Sequence, residues 1–150
     1  MKLNFSLLAL VLISFSLLIF ADAKPNLTGV WKMDADLGKE TMKIDHKEPT
    51  LHIVHYVDDP NGKRTIDFTV KTDGKEYKHQ IQGLPSVFIA KWEGDVLMLE
   101  SKRERSFGSV HIRRWMTFSK DGKTITHKRT NCNPDGTVQF TRTEIWQKQE

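Results

Sequence analysis

From residue 27 onward, apolar side chains fall at alternate positions in short runs, and turn-forming residues cut those runs at nearly even intervals. Met42, Ile44 and His46 alternate with Lys43 and Asp45, and Ile66, Phe68 and Val70 alternate with Asp67 and Thr69. A period of two is what a strand with one buried face requires. Gly62, Gly74, Gly83, Gly94, Gly108, Gly122 and Gly136 mark the breaks, several inside turn sequences such as Asp58-Asp59-Pro60-Asn61-Gly62, Lys120-Asp121-Gly122 and Asn133-Pro134-Asp135-Gly136. Ten strands are predicted, at about 27–34, 40–47, 50–57, 63–71, 75–81, 86–92, 96–104, 109–118, 123–130 and 137–148.

Connections of a few residues let each strand reach only its neighbour, which predicts an up-and-down antiparallel meander. Closure into a single barrel of about 8–10 strands removes the exposed edges, an open or two-layer sheet being the alternative. No helical periodicity of useful length follows residue 23, so the fold class is all-β. Alternation also assigns faces. Tyr77, His79 and Ile81 share one, as do Phe88, Ala90 and Trp92; Ile112, Arg114, Met116 and Phe118; Ile125, His127 and Arg129; and Val138, Phe140, Arg142, Glu144 and Trp146. One bulge reverses every assignment beyond it. The mixture of apolar, cationic and polar groups on these faces suits a partly wet cavity better than a dry core.

The first residues break the pattern. Lys2 precedes an apolar run from Phe5 to Phe20, and Ala21-Asp22-Ala23 has the small-x-small form that signal peptidases cut after. The expectation is a signal peptide over residues 1–23, cleaved after Ala23, and a secreted or periplasmic domain over 24–150 with no stable membrane anchor. The alternative is an anchor, since the run approaches the ~17 residues that span a bilayer. A lipoprotein would need a cysteine at the cut, and the one cysteine is Cys132.

Composition narrows this further. Removing residues 1–23 takes away Lys2 and Asp22, one charge of each sign, so the net charge stays at +4. The basic residues are scattered among acids, as from Glu100 to Arg105, which describes a solvated surface and not a nucleic-acid site. A lone cysteine excludes an internal disulfide framework, and nothing near Cys132 in sequence marks a reactive thiol beyond Lys128 and Arg129. Asn26-Leu27-Thr28 is a glycosylation sequon, meaningful only in a eukaryotic host.

Leu27-Thr28-Gly29-Val30-Trp31-Lys32 at the head of an all-β meander resembles the lipocalin and fatty-acid-binding-protein superfamily, the calycins. Lys91 to Leu97 and Ser119 to Thr126 resemble segments of small exported bacterial lipocalin-like proteins. The likeness spans nearly all of residues 27–148 through short motifs. It implies that Gly29 and Trp31 form the barrel floor, with Arg142 or Lys148 as the cation covering the tryptophan. Two departures stand out. Fatty-acid-binding proteins carry a helical lid between the first two strands, whereas Asp34 to Lys39 leaves room only for a turn. Their final-strand Arg-x-Tyr pair, which holds a ligand carboxylate, is replaced here by Glu144 and Trp146.

Catalytic motifs are missing. There is no Gly-x-Ser-x-Gly, no phosphate-cradling glycine loop and no His-Glu-x-x-His, so neither an enzyme nor a cofactor is expected. Of the six histidines, His52 and His55 are three apart and point to opposite strand faces, leaving no zinc-ligand spacing; His46, His79 and His127 would meet only inside a barrel. Glu144 has an internal salt bridge to Arg142 as its simplest role. Arg114, Arg129 and Arg142 form the candidate site, because three antiparallel neighbours bring three guanidinium groups into one cavity. Buried cations need partners, which can be water, internal acids or an anionic ligand; the expectation is that these arginines bind the head of a small hydrophobic or amphipathic anion, with His127 and Glu144 also lining the site. Phe68, Phe88, Met116, Phe118 and Trp146 would enclose its apolar part. The competing reading is a secreted scaffold or inhibitor acting through the loops around Asp58 to Lys63 or Asn131 to Gly136, with a packed interior.

Overall fold

The computed structural model describes residues 23–35, 38–60, 62–104 and 108–150. The expected leader before Ala23, residues 36 and 37, Asn61 and residues 105–107 lie outside them. Ten strands are present: β1 (Gly29–Ala35), β2 (Gly38–Lys47), β3 (Thr50–Asp59), β4 (Gly62–Lys71), β5 (Asp73–Ile81), β6 (Leu84–Glu93), β7 (Val96–Arg103), β8 (Val110–Phe118), β9 (Thr124–Cys132) and β10 (Val138–Lys148). Among the described residues there is no helix. The fold class is as expected: a single up-and-down antiparallel sheet, in the order β4-β3-β2-β1-β10-β9-β8-β7-β6-β5, rolled into a nearly closed barrel.

Alternation explains the core. Met42 and Ile44, Leu51 and Ile53, Phe68 and Val70, and Leu97 and Leu99 all point inward and are buried. The floor half is dry, with Leu27, Trp31, Leu51, Leu97, Met116 and Ile125 each at most 1% exposed. The segment before β1 crosses it. Leu27 is sealed beneath the barrel, and its carbonyl accepts the Trp31 indole N–H at 3.0 Å. Lys148, at the end of β10, places its ammonium 5.4 Å over the Trp31 ring. Of the two cations considered for that place Lys148 takes it, because Arg142 lies at the opposite end of β10. Gly29 is required there: its φ is +147°, and a Cβ would come within 2.6 Å of Lys148 Cε.

Closure is incomplete in two places. β1 and β10 share only the pairs Trp31↔Lys148 and Lys32↔Gln147 before diverging toward the mouth. β4 and β5 are the sheet edges and have no ladder between them. Their seam is filled by side chains: Phe68 stacks on Phe88 of β6 at 3.9 Å, 8° from parallel, and the His79 ring N–H donates to the Thr69 carbonyl at 2.8 Å.

One face assignment is corrected. The register slips between Val138 and Phe140, so Val138 pairs with Cys132 on the outer face while Phe140 pairs with Asn131 on the inner one. The bulge turns Val138 outward, and it is 61% exposed.

Candidate ligand site

The upper half of the barrel carries the polar chemistry. Register places Arg142, Arg129 and Arg114 opposite one another across β10, β9 and β8, so the three guanidinium groups share one ladder row. The next row toward the floor is Glu144, His127 and Met116. Glu144 Oε1 accepts from Arg142 Nε at 2.6 Å and lies 3.3 Å from Arg129 Nη1. Two of the three cations are therefore bound to one internal carboxylate. The Arg114 side chain has no hydrogen bond or ion pair within 4 Å among the described residues.

A second acid joins from β2. Glu40 Oε2 is 2.6 Å from His55 Nε2, and the His55 ring meets the Trp146 indole edge-on at 5.5 Å. His127 faces the same indole at 5.3 Å, with its Nδ1 3.7 Å from Glu144 Oε2. That distance suits an electrostatic contact and not a hydrogen bond.

These contacts set the charge states. Burial alone would raise the Glu144 carboxyl, but His127 and the guanidinium groups of Arg129, Arg114 and Arg142 hold it well below the usual carboxylate range. Glu40 is likewise lowered, the cost of burial being outweighed by the His55 hydrogen bond and charge. Burial pushes Arg114 down to about 9, helped by Arg129 and opposed by Glu144, so it stays cationic at neutral pH. His127 is pushed down to about 4, again chiefly by burial and then by Arg114. His55 is lowered for the same first reason. The interior at pH 7 thus holds the neutral imidazoles of His55 and His127, the carboxylates of Glu40 and Glu144, and the guanidinium groups of Arg114, Arg129 and Arg142, with that of Arg103 on the same cavity wall.

A cavity of about 20 Å³ lies among these residues, walled by Phe68, Phe88, Met116, Arg114, His127 and Trp146. That volume holds one or two water molecules. Ser101 Oγ, both His127 ring nitrogens and the Trp146 indole nitrogen are buried on its wall without protein hydrogen-bond partners. Their hydrogen-bonding capacity belongs to whatever occupies the cavity.

Among the residues expected to bind ligand, Arg114, His127, Phe68, Phe88, Met116 and Trp146 line this cavity. Arg129, Glu144 and the more exposed Arg142 form the charged row beside it. Phe118 does not reach it: one inward position past Met116, it packs at the floor end, 6.1 Å from Trp92. His46 and His79 do not meet His127 either. His46 binds Glu48 at 2.9 Å near the floor, and His79 closes the seam. No group of three or more His, Cys, Asp or Glu residues with metal-holding geometry occurs among the described residues.

Glu40, His55, Ser101 and Arg103 were not expected in the site. Parity was the available signal for three of them, since His55 follows Leu51 and Ile53 and Ser101 and Arg103 follow Leu97 and Leu99 on the inner face.

Known proteins share this architecture. Secretory abundant heat soluble protein 4 from Ramazzottius varieornatus superposes with a TM-score of 0.59 at 13% identity, over 85% of this chain and 98% of that one. A structure described as the REP1-NXSQ fatty acid transporter gives 0.55 at 13% identity, over 83% and 96%. The fold is calycin-like. At these identities the likeness is one of architecture, and no protein-family model and no curated protein matches the sequence.

Proposed function

We propose that the barrel is an exported carrier of a small amphipathic anion, a binding protein and not an enzyme. The head group would meet Arg114, and the tail would lie among Phe68, Phe88 and Met116. The observation that carries this reading is Arg114: a guanidinium on the cavity wall, among aromatic and aliphatic side chains and the polar groups of Ser101 and His127, with no ion-pair partner within 4 Å among the described residues, beside two arginines already matched by Glu144. An anion entering there gains a cation without breaking an internal bridge, and the polar atoms of Ser101 and Trp146 supply hydrogen bonds. The architecture shared with a protein described as a fatty acid transporter supports the same class of ligand. Export rests on the leader pattern of residues 1–23.

Native mass spectrometry of protein purified without denaturation from its host tests both parts. A retained small molecule on a mass starting at Lys24 is the expected result. In titrations with anilinonaphthalene sulfonate, Arg114→Leu should weaken binding about tenfold or more, the loss expected for one charge-assisted contact. Equal affinity in the folded variant would refute the role of Arg114. A second reading is favoured by the cavity of only about 20 Å³: a packed scaffold working through its loops on a protein partner. An empty barrel that also ignores the anionic probe would favour it.

A further inference from the structure

The interior charges do not cancel. Among the described residues the carboxylates of Glu40 and Glu144 face the guanidinium groups of Arg114, Arg129 and Arg142, which leaves positive charge in excess. The bridges show where it lies. Glu144 holds both Arg129 and Arg142, and Glu40 is bonded to His55, so the excess falls on Arg114. Arg103 stands on the same cavity wall, makes interactions of its own and adds its charge to the field at Arg114.

Uncommitted donors gather at the same place. Ser101 lies on β7 one inward position beyond Leu99, the ladder partner of Arg114, and so is diagonal to that arginine. Trp146 lies one inward position beyond Glu144 on β10, its ring 5.3 Å from that of His127. Arg114, Ser101 and Trp146 wall one cavity of about 20 Å³, and Ser101 Oγ and Trp146 Nε1 are buried there without protein hydrogen-bond partners. A guanidinium and an indole N–H donate and cannot accept, and a hydroxyl can donate. His127 adds no donor to this set. Glu144 Oε2, 3.7 Å from Nδ1, draws the ring proton to that side and leaves Nε2 bare.

A water molecule could accept from these donors, but it is neutral, and a buried cation without a counter-charge is the costly state. An anion meets both needs. The volume, enough for one or two waters, admits a single atom and no carboxylate or phosphate with a chain behind it. We propose that the closed barrel binds one chloride ion in this cavity, held by the Arg114 guanidinium, the Trp146 indole N–H and the Ser101 hydroxyl. The ion neutralises the charge that the internal bridges leave over. Its occupancy does not depend on the carrier reading; only its displacement by an incoming head group rests on that reading.

Urea unfolding of the natively purified protein, in sodium chloride and in sodium gluconate of equal ionic strength, tests the site. Gluconate is monovalent and too large for the cavity. A ligand bound only by the folded state stabilises it in proportion to the logarithm of its concentration, so the wild-type midpoint should rise with chloride and stay level with gluconate. Arg114→Leu should erase that difference, and Ser101→Ala should move the rise to about tenfold more chloride. Equal wild-type midpoints in the two salts, or a difference that Arg114→Leu leaves intact, overturns the proposal. Should Arg114→Leu fail to fold by near-ultraviolet circular dichroism, Ser101→Ala decides, and an unchanged chloride dependence there overturns the site. Anilinonaphthalene sulfonate added to the same samples separates the two readings. A chloride effect without dye uptake supports the halide and removes the carrier, whereas dye uptake with no chloride effect overturns the halide and leaves the carrier standing.

Discussion

His127 is neutral because burial disfavours its charged form, and that makes it a pH-sensitive element of the fold. Its ring takes a proton near 6.5 when unfolded and near 4 when folded. Between those values the unfolded chain binds more protons, so stability rises with pH. The contribution is complete above about pH 6.5 and lost as the pH falls toward 4, a swing of about 3 kcal/mol. His55 is shifted in the same direction, while the lowered carboxyls of Glu144 and Glu40 withdraw their contribution only at more acidic pH. Urea unfolding of His127→Gln across pH 4 to 7 should lose the larger part of that dependence; a slope equal to the wild type's would show that the acid sensitivity lies elsewhere.

At the level of strands, β1 and β10 depend on one glycine. The Lys148 side chain passes close over Gly29 to reach the Trp31 ring, on a backbone that side-chain-bearing residues rarely adopt. Gly29→Ala should cost about 1–3 kcal/mol, mostly from that strain, since a flexible lysine can yield. Urea denaturation followed by tryptophan fluorescence measures it, and an unchanged midpoint would remove the glycine from the account of the floor. Much of this scale was legible in the sequence. Even turn spacing fixed the meander, and alternation within each strand put Arg114, Arg129 and Arg142 on one face, which short hairpins then aligned in one row. Two things were not legible. The bulge at Val138 leaves no trace in a period-two pattern. The pairing of Glu40 with His55 joins two strands whose register depends on their turn.

The whole barrel meets a conflict of size, for its cavity of about 20 Å³ is too small for any amphipath. Uptake of the proposed ligand therefore requires widening, and the seam between β4 and β5, which no ladder closes, is where we expect the wall to open. Phe88→Ala removes one half of the ring stack there and should speed association of anilinonaphthalene sulfonate in stopped-flow measurements several-fold, with Arg142→Ala at the mouth as the comparison. An unchanged association rate for Phe88→Ala, alongside a changed one for Arg142→Ala, would place entry at the mouth instead. The missing ladder has a mechanical meaning as well. A fully bonded barrel is a hoop, whose girth is fixed by strand number and stagger, and stretching it breaks backbone bonds in ranks. A rolled sheet with two free selvedges is a clasped cuff: its circumference is adjustable, and the clasp is one pair of phenyl rings and one histidine.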